Sequence, residues 1–198
     1  MICLNSRDSF MISKVYGRKT VDISEMSLVD TFPINYPKMI KKNNDDYVLF
    51  VGGDFYANRE GILWFIKNVA HNINIKTVVV GRGFEKFKDQ FKHESNIKII
   101  GSVDDLSEWY INAKFIIAPI FDGSGMKTKV AEALMFGKRI IGTPEAFAGY
   151  EEFIKQAGKV CITADEFIEA IKLITERHDV PPFESIILAY LRFFYLLT

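Results

Sequence analysis

The sequence predicts an α/β domain with an open parallel sheet and helices on both faces. Three observations predict it. Short apolar runs recur from residue 47 onward, amphipathic segments of helical period separate them, and most runs are bounded by glycine or a charged residue. Runs that are continuously apolar, rather than alternating, belong to strands covered on both faces. Strand and helix in such regular alternation give βαβ units and a parallel sheet.

The elements follow in order. Ile2–Leu4 reads as a strand, Ser6–Tyr16 as a helix and Thr20–Ile23 as a second strand. Phe32-Pro33, Tyr36-Pro37 and the polar run 41–46 (KKNNDD) then form an extended linker, because a residue before proline is pushed out of the helical region. The strands of the main domain are Tyr47–Val51, Lys76–Val80, Ile97–Ile100, Phe115–Ala118, Arg139–Ile141 and Lys159–Ile162. The helices between and after them are Arg59–Ala70, Glu85–Lys92, Leu106–Ala113, Lys127–Phe136 and Asp165–Arg177, with Asp104 or Asp105 capping the third. Residues 1–40 read as the tail of another domain plus a linker, 41–180 as the main domain and 181–198 as a C-terminal apolar helix.

Composition narrows the partners. Among 198 residues, 25 basic side chains balance 25 acidic ones, so no overall field attracts nucleic acid. Cys3 and Cys161 lack a CxxC spacing, and with no evident secretory signal they are expected as free thiols in a reducing cytoplasm. His71, His93 and His178 form no metal pattern. The run 186–197 (IILAYLRFFYLL) is interrupted by Arg192 alone, too short for the roughly 20 residues of a membrane span. It is expected to pack on the domain, with a partner surface or a membrane-surface contact as the other uses of so broad an apolar helix.

Ligands of open parallel sheets bind beyond the carboxyl ends of the strands. Four turns qualify. Gly52-Gly53-Asp54 leads into a helix through Asn58-Arg59-Glu60-Gly61; Gly81-Arg82-Gly83 lacks the third glycine of a dinucleotide fingerprint; Gly101-Ser102-Val103 suffices as a turn before a helix cap. The fourth is Phe121 to Glu132, where Gly123 and Gly125 leave backbone N–H groups free to meet an anion at a helix start. Lys127 and Lys129 fall in that first turn, where a cation opposes the helix dipole by roughly 0.3–1 kcal/mol. Two such placements make sense if a phosphate or diphosphate occupies the turn. Val130, Ala131, Leu134 and Met135 form the apolar stripe, while Thr128, Lys129 and Glu132 share another face. From that face a Glu132 carboxylate could accept bonds from two sugar hydroxyls; an ordinary surface Lys129–Glu132 pair is the plainer reading.

The segment Gly123–Thr143 (GSGMKTKVAEALMFGKRIIGT) resembles the donor-site segment of group 1 (family 4) glycosyltransferases of the GT-B fold. Phe50–Val69, Val78–Gly83, the Gly-Ser-Val-Asp-Asp turn and Thr143-Pro144 to Gly149 match in order, so the likeness covers about residues 47 to 177. It implies a Rossmann-like half of a GT-B fold and a nucleotide-sugar donor site with no separate cofactor or metal. By the resemblance, Gly123, Ser124, Gly125 and Met126 with Lys127 and Lys129 hold the diphosphate, and Glu132 the ribose hydroxyls. Gly53, Gly81, Arg82, Gly83, Ser102 and Val103 flank the base side. The family's transferases typically retain anomeric configuration and work without a bound metal. The family often carries an acidic residue eight positions before the Glu, where this chain has Ser124. It also needs an acceptor-binding N-terminal domain, of which residues 1–40 resemble the last elements, so a complementary N-terminal half or a self-association partner is expected. The catalytic residue is not legible. A non-catalytic nucleotide-sugar-binding module and a sugar-nucleotide epimerase of the same fold are the alternatives.

Overall fold

The computed structural model describes residues 2–17, 22–24 and 46–176. The predicted apolar helix at 181–198 and most of the linker lie outside them. Two sheets form. A small one pairs β1 (Ile2–Cys3) in parallel with β2 (Asp22–Ile23), joined through helix α1 (Ser6–Tyr16). Asn5 caps α1 by accepting the Asp8 N–H at 2.8 Å, and Gly17 ends it at φ 63°, so both ends carry ordinary stop signals.

The main sheet has six parallel strands: β3 (Tyr47–Val51), β4 (Lys76–Val80), β5 (Ile97–Gly101), β6 (Phe115–Ala118), β7 (Ile140–Gly142) and β8 (Gly158–Val160). Their spatial order is β5-β4-β3-β6-β7-β8. The chain thus begins at the centre, runs to one edge, then returns to build the other half. That reversal between β3 and β6 is the switch point where doubly wound sheets open a crevice. Val48, Leu49, Phe50 and all four residues of β6 are fully buried, which requires cover on both faces of the sheet.

The helices are α2 (Tyr56–Asn68), the single turn α3 (Lys88–Phe91), α4 (Ser107–Asn112), α5 (Thr128–Met135), the single turn α6 (Ile154–Ala157) and α7 (Ala164–Glu176). Where bounds differ from the sequence reading, local chemistry explains it. The predicted helix 85–92 splits into a 3₁₀ turn, Phe84–Phe87, followed by α3. Glu85 there turns its carboxylate back to the Gly83 N–H at 2.9 Å. Strand β8 stops before Ile162 because the Ile162 N–H donates to the Glu166 carboxylate at 2.6 Å instead of to a strand. Glu166 and Thr163 form a reciprocal capping box, which starts α7 at Ala164. Asp105 meets the first N–H of α4 at 2.8 Å, as expected of one of the two aspartates. At the other end of α4, Lys138 donates to the carbonyls of Ile111 and Ala113, each at 2.7 Å.

One glycine sets how closely α2 approaches the end of β6. A Cβ on Gly61 would stand 1.7 Å from the Pro119 carbonyl oxygen, so α2 can sit directly on the end of β6 only because residue 61 has no side chain. The first turn of α2 therefore faces the loop that follows β6. Among the described residues no helix is long and apolar enough to cross a membrane. Cys3 and Cys161 are both free and buried.

Candidate functional site

The turns after β3 and β4 close on each other. A Cβ on Gly81 would lie 1.8 Å from the Gly52 carbonyl oxygen, and the Asp54 N–H donates to the Arg82 carbonyl at 2.8 Å. Gly83 adopts φ 92° against Asp54, where a side chain would both strain the backbone and collide. Asp54 in turn pairs with Arg59 at 2.9 Å and with Lys86, and these cations hold its carboxyl below the usual range. Gly53 thus lies in a tightly braced floor, while the Arg82 side chain is exposed above it. After β5, Ser102 is exposed and Val103 half-buried against the core.

Lys129 reaches this floor from α5. Its ammonium donates to the Asn58 side-chain oxygen, lies 4.8 Å from the centre of the Phe50 ring, and would be 3.2 Å from a Cβ on Gly52. Asn58 is itself held by donating to the Gly53 carbonyl at 2.9 Å. Lys129 is only 6% exposed. Among the described residues no carboxylate pairs with it. Burial first, and the neighbouring Lys127 charge second, push its ammonium down to about 7, while Glu132 one turn on resists that shift. The plainer alternative, a surface Lys129–Glu132 pair, does not form among the described residues: Lys129 is buried against Asn58 and Phe50 at the β3 end.

Glu132 is half-buried, and burial raises its carboxyl above the ordinary range. One oxygen accepts the Tyr110 hydroxyl at 2.7 Å, which opposes that rise. Tyr110 is fully buried and stacks on Phe136, with ring centroids 5.0 Å apart, so it fixes the carboxylate rigidly. Val130, Ala131, Leu134 and Met135 are buried as the apolar stripe requires.

The Gly-rich turn after β6 meets anions with both glycine amides. Gly123 N–H donates to its neighbour Asp122 at 2.7 Å, and Gly125 N–H to Asp8 of α1 at 2.9 Å. Tyr56 also donates to Asp122, and that bond leads the causes that hold the Asp122 carboxyl low. Lys127 is the residue before α5. Its ammonium donates to the Gly125 carbonyl at 2.9 Å and the Ser124 carbonyl at 3.3 Å, and pairs with Glu145 at 2.9 Å. Arg7 completes that cluster, 2.6 Å from Glu145. Met126 is buried against Gly149 and Ser124 is exposed. Among the described residues no three His, Cys, Asp or Glu side chains gather to share a metal ion.

The structure therefore brings Gly53, Gly81, Gly83, Lys129 and Asn58 together around the β3 end. The sequence reading missed Asp8, Tyr110 and Glu145 as site residues. An Asn5-x-x-Asp8 helix start was visible, but the contact of Asp8 with Gly125 spans 117 positions and left no local signal.

A Rossmann-like half-sheet of strand order 3-2-1-4-5-6, with the candidate site at its switch point, is the class that fold and site define. Residues 45–177 match the family model of glycosyl transferases group 1, and the chain belongs to that family. Among solved structures it is similar to WaaG, a glycosyltransferase involved in lipopolysaccharide biosynthesis: TM-score 0.69 and 17% identity, over 100% of this chain and 58% of that one. A glycosyltransferase from Rickettsia africae gives TM-score 0.74 and 15% identity, over 96% of this chain and 56% of that one. HepE of Anabaena, in complex with UDP and glucose, gives TM-score 0.67 and 14% identity, over 94% and 55%. At such identities the likeness shows the fold. The chain spans little more than half the length of these proteins. No curated protein matches it significantly.

Proposed function

We propose that this chain is the donor-binding half of a glycosyltransferase and holds the diphosphate of a nucleotide sugar at the β3–β6 crevice. One observation carries the reading: the Lys129 ammonium is buried at the switch point with no carboxylate partner among the described residues. A charge removed from water is retained only where something compensates it, and an anionic ligand is what this position lacks. UDP is the first nucleotide to test, because HepE was crystallised with it.

In this reading Lys129 meets the diphosphate and neutralises the charge that develops as the sugar leaves. Glycosyl transfer from a nucleotide sugar asks chiefly for that leaving-group stabilisation. The unbonded oxygen of Glu132 accepts from ribose hydroxyls, held in place by Tyr110. Gly53, Gly81, Arg82 and Gly83 with Ser102 and Val103 border the base, and the turn Gly123–Met126 borders the phosphates. No cofactor is invoked beyond the donor itself. Turnover needs an acceptor-binding N-terminal half, consistent with a chain that covers 58% of WaaG. Ser124, exposed and uncharged, offers the sugar no carboxylate, which favours nucleotide recognition over sugar recognition in this half.

The test is a thermal-shift and calorimetric panel of uridine, guanosine and adenosine diphosphates and their sugars. A true ligand at about 100 times its Kd raises stability by about 2.7 kcal/mol. Sugar transfer or donor hydrolysis that appears once an N-terminal half is added, and is lost in Glu132→Ala, establishes the transferase. Binding without turnover points to the non-catalytic module. Failure of every nucleotide to bind overturns the donor site.

A further inference from the structure

The Gly125 amide, which the donor reading assigns to a phosphate, already has an anion. Its N–H donates to Asp8 Oδ2 at 2.9 Å. Asn5 donates its side-chain amide to the same oxygen at 3.2 Å, and Arg7 lies 3.5 Å from Oδ1. The carboxylate is thus seated by three donors, and its side chain is 21% exposed. Leu4 backs the contact, 3.7 Å from where a Gly125 Cβ would stand. Arg7 extends it to Glu145, and Glu145 to Lys127. The segment before the main sheet therefore grips the Gly-rich turn with a carboxylate.

The two glycine amides differ in the origin of their anions. Gly123 is satisfied by the adjacent Asp122, so that bond travels with the turn. Gly125 is satisfied from a separate sheet-and-helix unit, and that bond can part without disturbing the main sheet.

We propose that Asp8 is a resident anion at Gly125 that an incoming donor diphosphate displaces, so that donor binding loosens α1 from the Gly-rich turn. The proposal rests on the donor reading above. A single N–H makes one strong charge-assisted bond, so carboxylate and phosphate cannot both hold it at full strength. Two anions within a few ångströms also repel, and more so away from bulk water. The internal carboxylate weakens donor affinity in the resting chain and couples occupancy of the crevice to the position of α1.

Calorimetry of the full chain with UDP and with inorganic pyrophosphate tests this in three forms: unmodified, Asp8→Ala and Arg7→Ala. Asp8→Ala is expected to bind both probes about fivefold more tightly, a part of one charge-assisted bond. Arg7→Ala keeps the carboxylate but removes one of its three donors, together with the bridge from α1 to Glu145, and gives a smaller tightening in the same direction. The Gly125 amide resonance is expected to move with UDP in every form, and α1 resonances to move with it only where Asp8 is present. Unchanged or weaker binding in Asp8→Ala overturns the displacement, as does α1 that stays fixed in the unmodified complex. Should Asp8→Ala fail to fold, unchanged or weaker binding in Arg7→Ala does the same. If no form binds either probe at millimolar concentration, the donor reading itself fails; equal binding by all three sinks the displacement alone.

Discussion

Lys127 and Lys129 stand two residues apart at the start of one helix and meet opposite surroundings. Lys127 looks outward to a cluster in which every cation has a carboxylate: Lys127 and Arg7 share Glu145, and Arg7 also touches Asp8. Lys129 looks inward to Asn58, the Phe50 ring and the Gly52 backbone, and finds none among the described residues. The outer cluster is complete as it stands, so its charges explain themselves structurally. The inner ammonium has only neutral partners among the described residues. A basic helix start is therefore not one signal but two: Lys127 braces the turn through carboxylate and carbonyls, while Lys129 is buried against neutral partners and is the one proposed to bind.

The sharpest way to break that contrast is to neutralise each lysine in turn. Lys129→Met is expected to lower nucleoside-diphosphate affinity by about 30-fold or more, as for loss of one partner of a desolvated charge pair. The same substitution is expected to raise resting stability by about 1–3 kcal/mol, because it removes a buried charge without leaving an unpaired one behind. Urea unfolding and calorimetry on one preparation read both signs. Lys127→Met is expected to cost less than about 1 kcal/mol of stability, the scale of a partly exposed pair. If both variants behave alike, the distinction between inner and outer lysine is void.

A smaller effect lies in the pH dependence. Burial leads the causes that lower Lys129 to about 7 and Lys138 to about 8, against an ordinary 10.5. Between those values the unfolded chain binds more protons than the folded one, so stability rises as pH rises from about 7 toward 10.5. Below about 7 both states are protonated and this gain is absent. Lys129→Met is expected to remove its share of the slope and leave that of Lys138, measured as urea midpoints across the range. Tyr110→Phe, which takes the donor from one oxygen of Glu132, should cost about 1 kcal/mol in the same assay.

Much of the fold was legible because it is written in short range. α1 has the predicted bounds, and strands β3, β4 and β6 match their apolar runs residue for residue. The run at 139–141 is shifted by one residue in β7, and the run at 159–162 was displaced because Glu166 claims the Ile162 N–H beyond β8. At the site, the close packing of Gly81 on Gly52 and of Gly83 on Asp54 carried no local signal, whereas the Gly123–Gly125 amides could be read as anion seats. What the chain could not disclose is which anion sits there. Asp8 reaches Gly125 across 117 positions, and Tyr110 reaches Glu132 across 22. Nor could spacing show that Lys129 turns inward, since the apolar stripe of α5 left it on a face that the β3 end then covered.

Burial lowers Lys129 to about 7, so a diphosphate bound beside it would restore its full charge, and proton linkage reads that directly. Titrating the full chain with UDP at pH 8 in two buffers of different ionisation enthalpy gives the protons taken up per ligand. The account predicts uptake approaching about one proton, abolished in Lys129→Met, because the bound anion restores the charge that burial had suppressed. UDP that binds with no proton uptake, or with the same uptake in Lys129→Met, would contradict it.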